Sequence, residues 1–436
     1  MTQPTLGRFW RQAAAIAAIP VAGSILLTGC SSGSSAGSGA NGGPVTLKIA
    51  VQTQTNETKP YSTIVDEFNK QSDDIKVELT EYPNEQYAQT IKTQLQAGNA
   101  PDLIYGSPGT GNPNSLGLYA QAGQLVDLSG EDWAAAAVPD SAKNIYYVDN
   151  QLVGVPLDVA PIPSIINETA YQELGLEPAT TFADVLKQCK TVRDAGKNSL
   201  ITLSGTTPPN TGIMALQLAA TRVYAQDPDW NTKRTDGKVS FADTQGWKDT
   251  LQAILDLKTN ECFQDGAEGG TFDTLFNEVS SGKSLSFFGP GGSAADLASI
   301  NPNAEFGTAA FPGKSASDEF VFASPTNALG INAASKNVDA AKTFLKFWEQ
   351  KDQLNKFASL TGNVSLASVQ SGEAVSNERY SRIEEYLTDP KKNAPLANLF
   401  WPNGDVYTAL GVGVQGLLTG QASIDQVLQS MDSAWG

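Results

Sequence analysis

From residue 45 onward, short β-branched runs alternate with apolar stripes at helical spacing. Residues 45–53, VTLKIAVQT, predict a buried first strand. Residues 61–70 place Ile64, Val65 and Phe68 on one helical stripe, and residues 75–82 predict a second strand. Strand, helix and strand in so short a stretch open an α/β sheet. The pattern then repeats. Residues 86–97 form an amphipathic helix that Gly98-Asn99 can terminate, and Pro101-Asp102-Leu103-Ile104-Tyr105 enters a short strand. Residues 152–157 predict a further apolar strand, closed by Asp158.

A second organisation begins after Pro161 or Pro163. Helices are predicted over 168–174 and 182–195, the latter opened by Thr180-Thr181 and spaced by Val185, Leu186 and Cys189. A strand over 199–203 and helices over 212–226 and 244–259 follow. Phe344 and Trp348 stand four positions apart beside Phe347, which predicts a helix packed on its own core, and Trp247 and Tyr224 are read as core in the same way.

Ahead of this body, Arg8 and Arg11 flank an uncharged apolar stretch over residues 13–27. At about 1.5 Å per residue it spans roughly 22 Å, short of a ~30 Å bilayer core, so a secretory leader fits better than a permanent span. It ends in Leu27-Thr28-Gly29-Cys30, which resembles the lipobox of bacterial lipoproteins. That resemblance implies cleavage before Cys30, lipid on its sulfur and a membrane anchor. The alternative is an ordinary signal peptide with a chance cysteine. Residues 30–44 continue as a Ser/Gly-rich tract that cannot pack a core and predicts a flexible tether.

Composition narrows the chemistry. With 29 basic and 46 acidic side chains in 436 residues the formal charge is −17, which disfavours nucleic acid and anionic lipid as electrostatic partners. The chain has no His, so His-based triads and imidazole metal sites are excluded within it. No metal site or cofactor is expected. Past the leader only Cys189 and Cys262 remain, and in an exported chain a disulfide between them is expected over two free thiols. Their spacing rules out a CxxC redox or zinc motif.

Two features could carry binding chemistry. Gly106-Ser107-Pro108-Gly109-Thr110-Gly111 follows a strand end, where open α/β sheets bind ligands, but it lacks the GxxxxGK[ST] phosphate pattern. Backbone donors offered to a small polar ligand, or a purely structural turn, are the two readings. Asp158 is a candidate acceptor for hydroxyl or ammonium groups, or an exposed loop charge.

The order of elements resembles bacterial extracellular solute-binding proteins of the branch that includes maltose-binding protein. The likeness rests on Ala97-Gly98-Asn99-Ala100-Pro101-Asp102-Leu103, on Asn167-Glu168-Thr169-Ala170-Tyr171, and on Phe288-Gly289-Pro290. Leu329-Gly330-Ile331-Asn332 and Leu418-Thr419-Gly420-Gln421-Ala422-Ser423 extend it towards the carboxyl end. The resemblance implies an α/β periplasmic-binding-protein-like fold of type II, two lobes with a hinge and an interlobe ligand cleft. Projected onto this chain, lobe 1 takes 45–157 with 310–380 and lobe 2 takes 158–309 with 381–436. It further implies a non-enzymatic receptor at the extracytoplasmic face of the membrane that delivers a small solute to an ABC permease.

The expected ligand-binding positions are Gln52, Gln54, Glu81, Ser107, Asp158, Asn210, Gly291, Asn327, Trp401 and Tyr407. Tyr407 falls where the family places an aromatic cleft residue, and a ring face can pack on the C–H face of a sugar. Gly291 departs from the family's frequent Gly-Pro-Trp, and Gly106 occupies another aromatic position, which points to a mono- or short oligosaccharide over maltodextrin. The alternatives are a non-sugar solute such as an amino acid derivative, peptide, polyamine or osmolyte, a carboxylate-dependent glycoside hydrolase, and a structural surface lipoprotein.

Overall fold

The computed structural model describes residues 43–53, 59–371, 373, 377–389 and 391–436. The leader, Cys30 and Gln54 therefore lie outside the described residues. In chain order the strands are β1 (Val45–Gln52), β2 (Ile75–Tyr82), β3 (Leu103–Gly106), β4 (Tyr147–Val148), β5 (Gln151–Leu152), β6 (Val155–Pro156) and β7 (Ala160–Ile162). They continue as β8 (Ser164–Asn167), β9 (Ser199–Thr202), β10 (Ser284–Phe288), β11 (Phe306–Ala309), β12 (Val321–Ser324), β13 (Ala328–Ile331) and β14 (Asn393–Ala394).

Two α/β subdomains are built from these strands. The first holds a five-stranded sheet of order β2-β1-β3-β13-β6, in which β1 lies parallel to β2 over its full length and parallel to β3, while β13 runs antiparallel to β3 and β6. The second holds a four-stranded sheet of order β11-β8-β10-β9, with β10 parallel to β9 and β8 antiparallel to both its neighbours. Strands covered by helices on both faces lose the polar alternation of a half-exposed strand. Accordingly every residue of β3, β8, β9, β10 and β11 is buried.

The chain passes between the subdomains three times. It crosses at β7, returns at β12 and leaves again through β14, and these segments pair side by side in a three-stranded sheet of order β14-β12-β7. Short, adjacent crossings place the ends of the two main sheets close together.

Helix boundaries follow local chemistry. The helix Phe182–Asp194 is capped by Thr181, whose hydroxyl accepts from the Asp184 amide at 3.2 Å. Gly98, at φ 71°, ends the helix Asn84–Ala97 in the left-handed conformation that suits glycine. The helix expected over 212–226 instead begins at Pro208 and runs to Ala219, then widens into a π turn over Ala220–Tyr224. Pro208-Pro209 accounts for the earlier start, because the first helical turn needs no amide donor. The strand expected over 152–157 is broken at Gly154, where a Cβ would lie 2.8 Å from both the Leu329 carbonyl oxygen and Leu116 Cδ1.

The core aromatics lie as expected. Phe344 and Trp348 are buried on the helix Val338–Trp348 and meet Phe68 and Phe357, with ring centroids 5.1 and 5.0 Å apart respectively. Trp247 and Tyr224 form a perpendicular pair at 6.2 Å. Cys189, inside its helix, is bridged to Cys262, just beyond the helix Gln245–Thr259, in a disulfide that staples two elements of the second subdomain.

Candidate functional site

Asp158 follows β6 at the entry to the first crossing and is fully buried. Its Oδ1 accepts from Asn327 Nδ2 at 3.1 Å, and its Oδ2 accepts from Thr361 Oγ1 at 3.0 Å and Asn363 Nδ2 at 2.7 Å. Among the described residues no Lys or Arg pairs with it. Burial raises its pKa above the ordinary carboxyl value, against the pull of the three hydrogen bonds. Three neutral donors from distant parts of the chain thus hold one carboxyl group.

The network continues outward. Tyr105 at the end of β3 donates its hydroxyl to Asn327 Oδ1 at 2.6 Å, and the Asn327 carbonyl accepts from the Leu157 amide at 3.1 Å. Burial pushes the phenol of Tyr105 upward in pKa, with a further push from Asp158. Thr361 and Asn363 flank Gly362, which ends the helix Lys351–Thr361 at φ 72°. Tyr380 donates its hydroxyl to the Gly362 carbonyl at 2.8 Å.

The second subdomain meets this network through the loop after β10. The Gly291 amide donates to the Pro161 carbonyl at 2.8 Å. A Cβ on Gly291 would lie 2.5 Å from Tyr380 Cε1, and one on Gly292 would run into the Thr361 carbonyl oxygen. Glycine at 292 lets its backbone approach that of Thr361, and glycine at 291 leaves room for the Tyr380 ring. Asn210 fixes the same strand end, accepting from the Ser204 amide at 2.9 Å and donating to the Phe288 carbonyl at 3.0 Å.

The glycine loop is engaged with protein. The Gly109 amide donates to the Ile145 carbonyl at 2.6 Å, the Thr110 amide donates to Leu399 at 3.1 Å, and the Thr110 hydroxyl donates to Trp401 at 2.5 Å. A side chain on Gly109 or Gly111 would collide with the carbonyl oxygens of Leu399 and Asn398. Of the two readings of this loop, the structural turn describes its observed bonds.

Trp401 is wholly buried among Phe241, Trp247 and Trp435, with its indole N–H donating to Asn231 Oδ1 at 3.2 Å. Tyr407 is half-buried on the helix Gly404–Thr419, its ring centroid 6.5 Å from that of Trp401 and its hydroxyl donating to the Pro209 carbonyl at 2.8 Å. A Cβ on Gly212 would lie 2.8 Å from Tyr407 Cε2, so the helix carrying Pro209 forms a seat for the ring.

The structure therefore joins Asp158 to Asn327 directly and brings Gly291 and Asn210 to one strand end. It sets Trp401 beside Tyr407. Ser107 is buried at the root of the glycine loop, whereas Gln52 is half-buried and Glu81 exposed at the β1–β2 edge. Tyr105, Thr361, Asn363 and Tyr380 were not singled out from sequence. The only local signal for them was the turn Thr361-Gly362-Asn363. Among the described residues no three His, Cys, Asp or Glu side chains group to hold a metal ion, and no helix is long and apolar enough to cross a membrane.

Two α/β subdomains, tied by three adjacent crossings and meeting at a polar junction of strand ends, define a periplasmic-binding-protein-like fold. The chain belongs to the bacterial extracellular solute-binding protein family, whose description matches residues 53–354. It is thereby a binding protein and not an enzyme. The multiple sugar-binding protein of Streptococcus mutans is 23 % identical over 310 residues, which is 69 % of this chain and 70 % of that one. The solved structure of the solute-binding protein RafE in complex with raffinose superposes with a TM-score of 0.74 at 21 % identity, covering 90 % of this chain and 98 % of the other. An ABC transporter solute-binding protein from Thermotoga lettingae bound with α-D-tagatose gives 0.73 at 16 % identity, with 90 % and 100 % covered. At these identities the structural likeness is one of fold.

Proposed function

We propose that this protein is the lipid-anchored receptor of an ABC importer and captures a mono- or short oligosaccharide between its two subdomains. The observation that carries the reading is the junction itself. Polar groups from separate subdomains converge where both main sheets end, so a ligand there would be enclosed from both sides. The raffinose and tagatose complexes of the similar proteins, and the name of the Streptococcus mutans relative, supply the cargo class. The order β2-β1-β3-β13-β6, in which a late strand is inserted between early ones, supports a type II reading.

In this reading lobe 1 comprises 45–157 with 310–380 and lobe 2 comprises 158–309 with 381–436. The packing of the helix Gly404–Thr419 on Pro208–Ala219 favours giving the carboxyl-terminal segment to lobe 2. The crossing strands are the hinge, and closing about it converts binding into a shape that a permease can recognise. Tyr407 supplies the apolar platform; Gln52, Glu81, Ser107, Asn210 and Gly291 line the cleft, with Trp401 behind the platform and Asp158 and Asn327 bracing its inner wall, and Gln54 remains a proposed ligand-binding residue outside the described ones. Cys30 carries the lipid, holding the receptor at the outer face of the cell membrane.

The test is a thermal-shift screen of mono- and oligosaccharides, amino acids, peptides, polyamines and osmolytes, followed by calorimetry, since a ligand bound only by the folded state raises its apparent stability. A sugar is expected to be the hit. Tight binding solely of a peptide or polyamine overturns the cargo class but leaves the receptor. The anchor is tested separately by intact mass of protein taken from native membranes, where loss of residues 1–29 plus acyl mass is expected and an unmodified Cys30 defeats it.

A further inference from the structure

A cavity of about 1250 Å³ opens between the helix Lys351–Thr361 of the first subdomain and the start of β11 in the second. It is separate from the strand-end junction: of the groups placed there only Asn363 borders it, and Tyr407, Asn210 and Gly291 do not. The turn Glu378–Tyr380 adds Glu378 and Arg379 to its lining, and that turn is held to β11 by the bond the Thr308 hydroxyl donates to the Arg379 carbonyl at 2.7 Å. Arg379 is half-buried, yet among the described residues its guanidinium makes no hydrogen bond or ion pair. On the helix Lys351–Thr361, Asn355 accepts from the Ser365 hydroxyl at 2.5 Å and gives its amide N–H groups to no described residue. Four carboxylates line the same space. Glu168 is paired with Arg382 at 3.5 Å and Glu373 with Lys351 at 2.9 Å, which leaves Glu305 and Glu378, both exposed, without a cation among the described residues.

We propose that this cavity is a second binding site, for a neutral polyhydroxyl solute such as a short saccharide, with Arg379 as its anchoring residue. It goes beyond the capture site at Tyr407 and does not need that site to hold a sugar. The planar fork of a guanidinium with no protein acceptor fits two neighbouring hydroxyl oxygens, which take the place of water. Asn355 adds donors, and the carboxylates of Glu305 and Glu378 accept from hydroxyl protons. Free donors and free acceptors thus share one wall system, and a hydroxyl group, donor and acceptor at once, satisfies both. An anionic solute meets four carboxylates against one guanidinium, a cationic one must sit beside Arg379, and an apolar one covers donors that it cannot pair. At about 1250 Å³ the space exceeds the ~300–1,000 Å³ of ordinary small-molecule pockets, so more than one sugar ring fits.

The experiment is calorimetry of the whole folded protein with glucose, sucrose and raffinose as neutral probes and galacturonate and spermidine as charged ones, for the wild type, Arg379→Met, Arg379→Lys and Tyr407→Ala. Arg379→Met keeps an unbranched side chain but removes its charge and donors. Because the guanidinium holds no protein group, the melting temperature of that variant should stay within about 2 °C of the wild type. At least one neutral probe is expected to bind the wild type, to bind Arg379→Met about tenfold more weakly or worse, and to bind Arg379→Lys in between. That Arg379-dependent binding should persist in Tyr407→Ala. Neutral-sugar binding that Arg379→Met leaves unchanged, or that Tyr407→Ala abolishes entirely, overturns the second site and leaves the capture reading standing. A sugar held through Arg379 and indifferent to Tyr407 upholds the second site whatever the fate of the platform. Binding of galacturonate or spermidine alone, or of no probe at all, overturns the proposal, while the capture reading stands or falls on its own broader screen.

Discussion

The amide of Asn363 donates a 2.7 Å hydrogen bond to the carboxylate of Asp158 across 205 positions of sequence. Asn327 and Thr361 close on the same carboxyl group, so one side chain ties the first crossing, the approach to β13 and the turn after Thr361 into a single knot. Because all three donors are neutral, burial is offset only by hydrogen bonding and not by an opposite charge.

Removing this carboxyl strands three buried donors. Asp158→Ala is expected to lower unfolding stability by roughly 2–4 kcal/mol. The pH dependence has a definite sign. Burial raises the folded-state pKa above the unfolded value, so the folded state holds the proton more tightly. The stability that Asp158 contributes is therefore full below the unfolded value, near pH 4, and declines as pH rises through the folded one. Paired denaturant titrations of wild type and Asp158→Ala between pH 4 and 8 should show their difference shrinking with pH. A difference that grows would mean that the carboxylate is stabilised as an anion.

Much of the first subdomain, and the helix starts and stops of both, was legible because those signals are local. β1, β2 and the helix Pro60–Gln71 each carry their own periodicity, and Gly98 and Thr181 announce helix ends through φ preference and capping. The knot was not legible. β13 enters between β3 and β6 from far along the chain, well over a hundred residues beyond either, and β7, β12 and β14 are two to four residues long, too short to show a period. Asp158 and Asn327 were named separately, but no spacing in sequence reveals that Thr361 and Asn363 complete the set. Trp401 illustrates the same limit, since Phe241, Trp247 and Trp435 surround it from remote helices and loops.

Glycines with the same backbone angle should respond differently to substitution. Gly98 and Gly109 have φ of 71° and 69°, yet a Cβ on Gly98 meets nothing within 4 Å whereas one on Gly109 strikes the Leu399 carbonyl. Gly98→Ala is expected to cost about 1 kcal/mol, the strain of the left-handed conformation alone. Gly109→Ala adds a backbone collision and the loss of the Thr110–Leu399 bond, for about 3 kcal/mol or more. Equal melting temperatures for the two variants would mean that the glycine loop does not dock on residues 397–401.

The Cys189–Cys262 bridge closes a span of 73 positions. Loop-closure entropy for that length is on the order of 4 kcal/mol. Exchanging both residues for Ser should lower stability by a few kcal/mol while leaving ligand affinity within about twofold, because both cysteines lie in the second subdomain's core, away from the strand-end junction. Reductant should destabilise the wild type and leave the double variant untouched. If ligand binding is lost while stability is unchanged, the pair has a role other than stapling.

Tyr407 offers the sharpest test of the cargo. Its hydroxyl is committed to the Pro209 carbonyl, so the phenol has little left to give a ligand, and its ring edge rests against Gly212. If the ring face is the platform, affinity for a sugar comes from C–H contacts and shape and not from the oxygen. Tyr407→Phe forfeits one internal hydrogen bond, about 1 kcal/mol of stability, and should change sugar affinity by less than about fivefold. Tyr407→Ala removes the stacking surface and should weaken binding by about 10–100-fold, equivalent to roughly 1.4–2.8 kcal/mol. Calorimetry with the sugar identified by the screen separates these outcomes, and circular dichroism on each variant confirms that the fold has survived. Comparable losses for Phe and Ala would assign the role to the hydroxyl and its hold on Pro209, and equal affinity for Ala and wild type would remove Tyr407 from the site altogether.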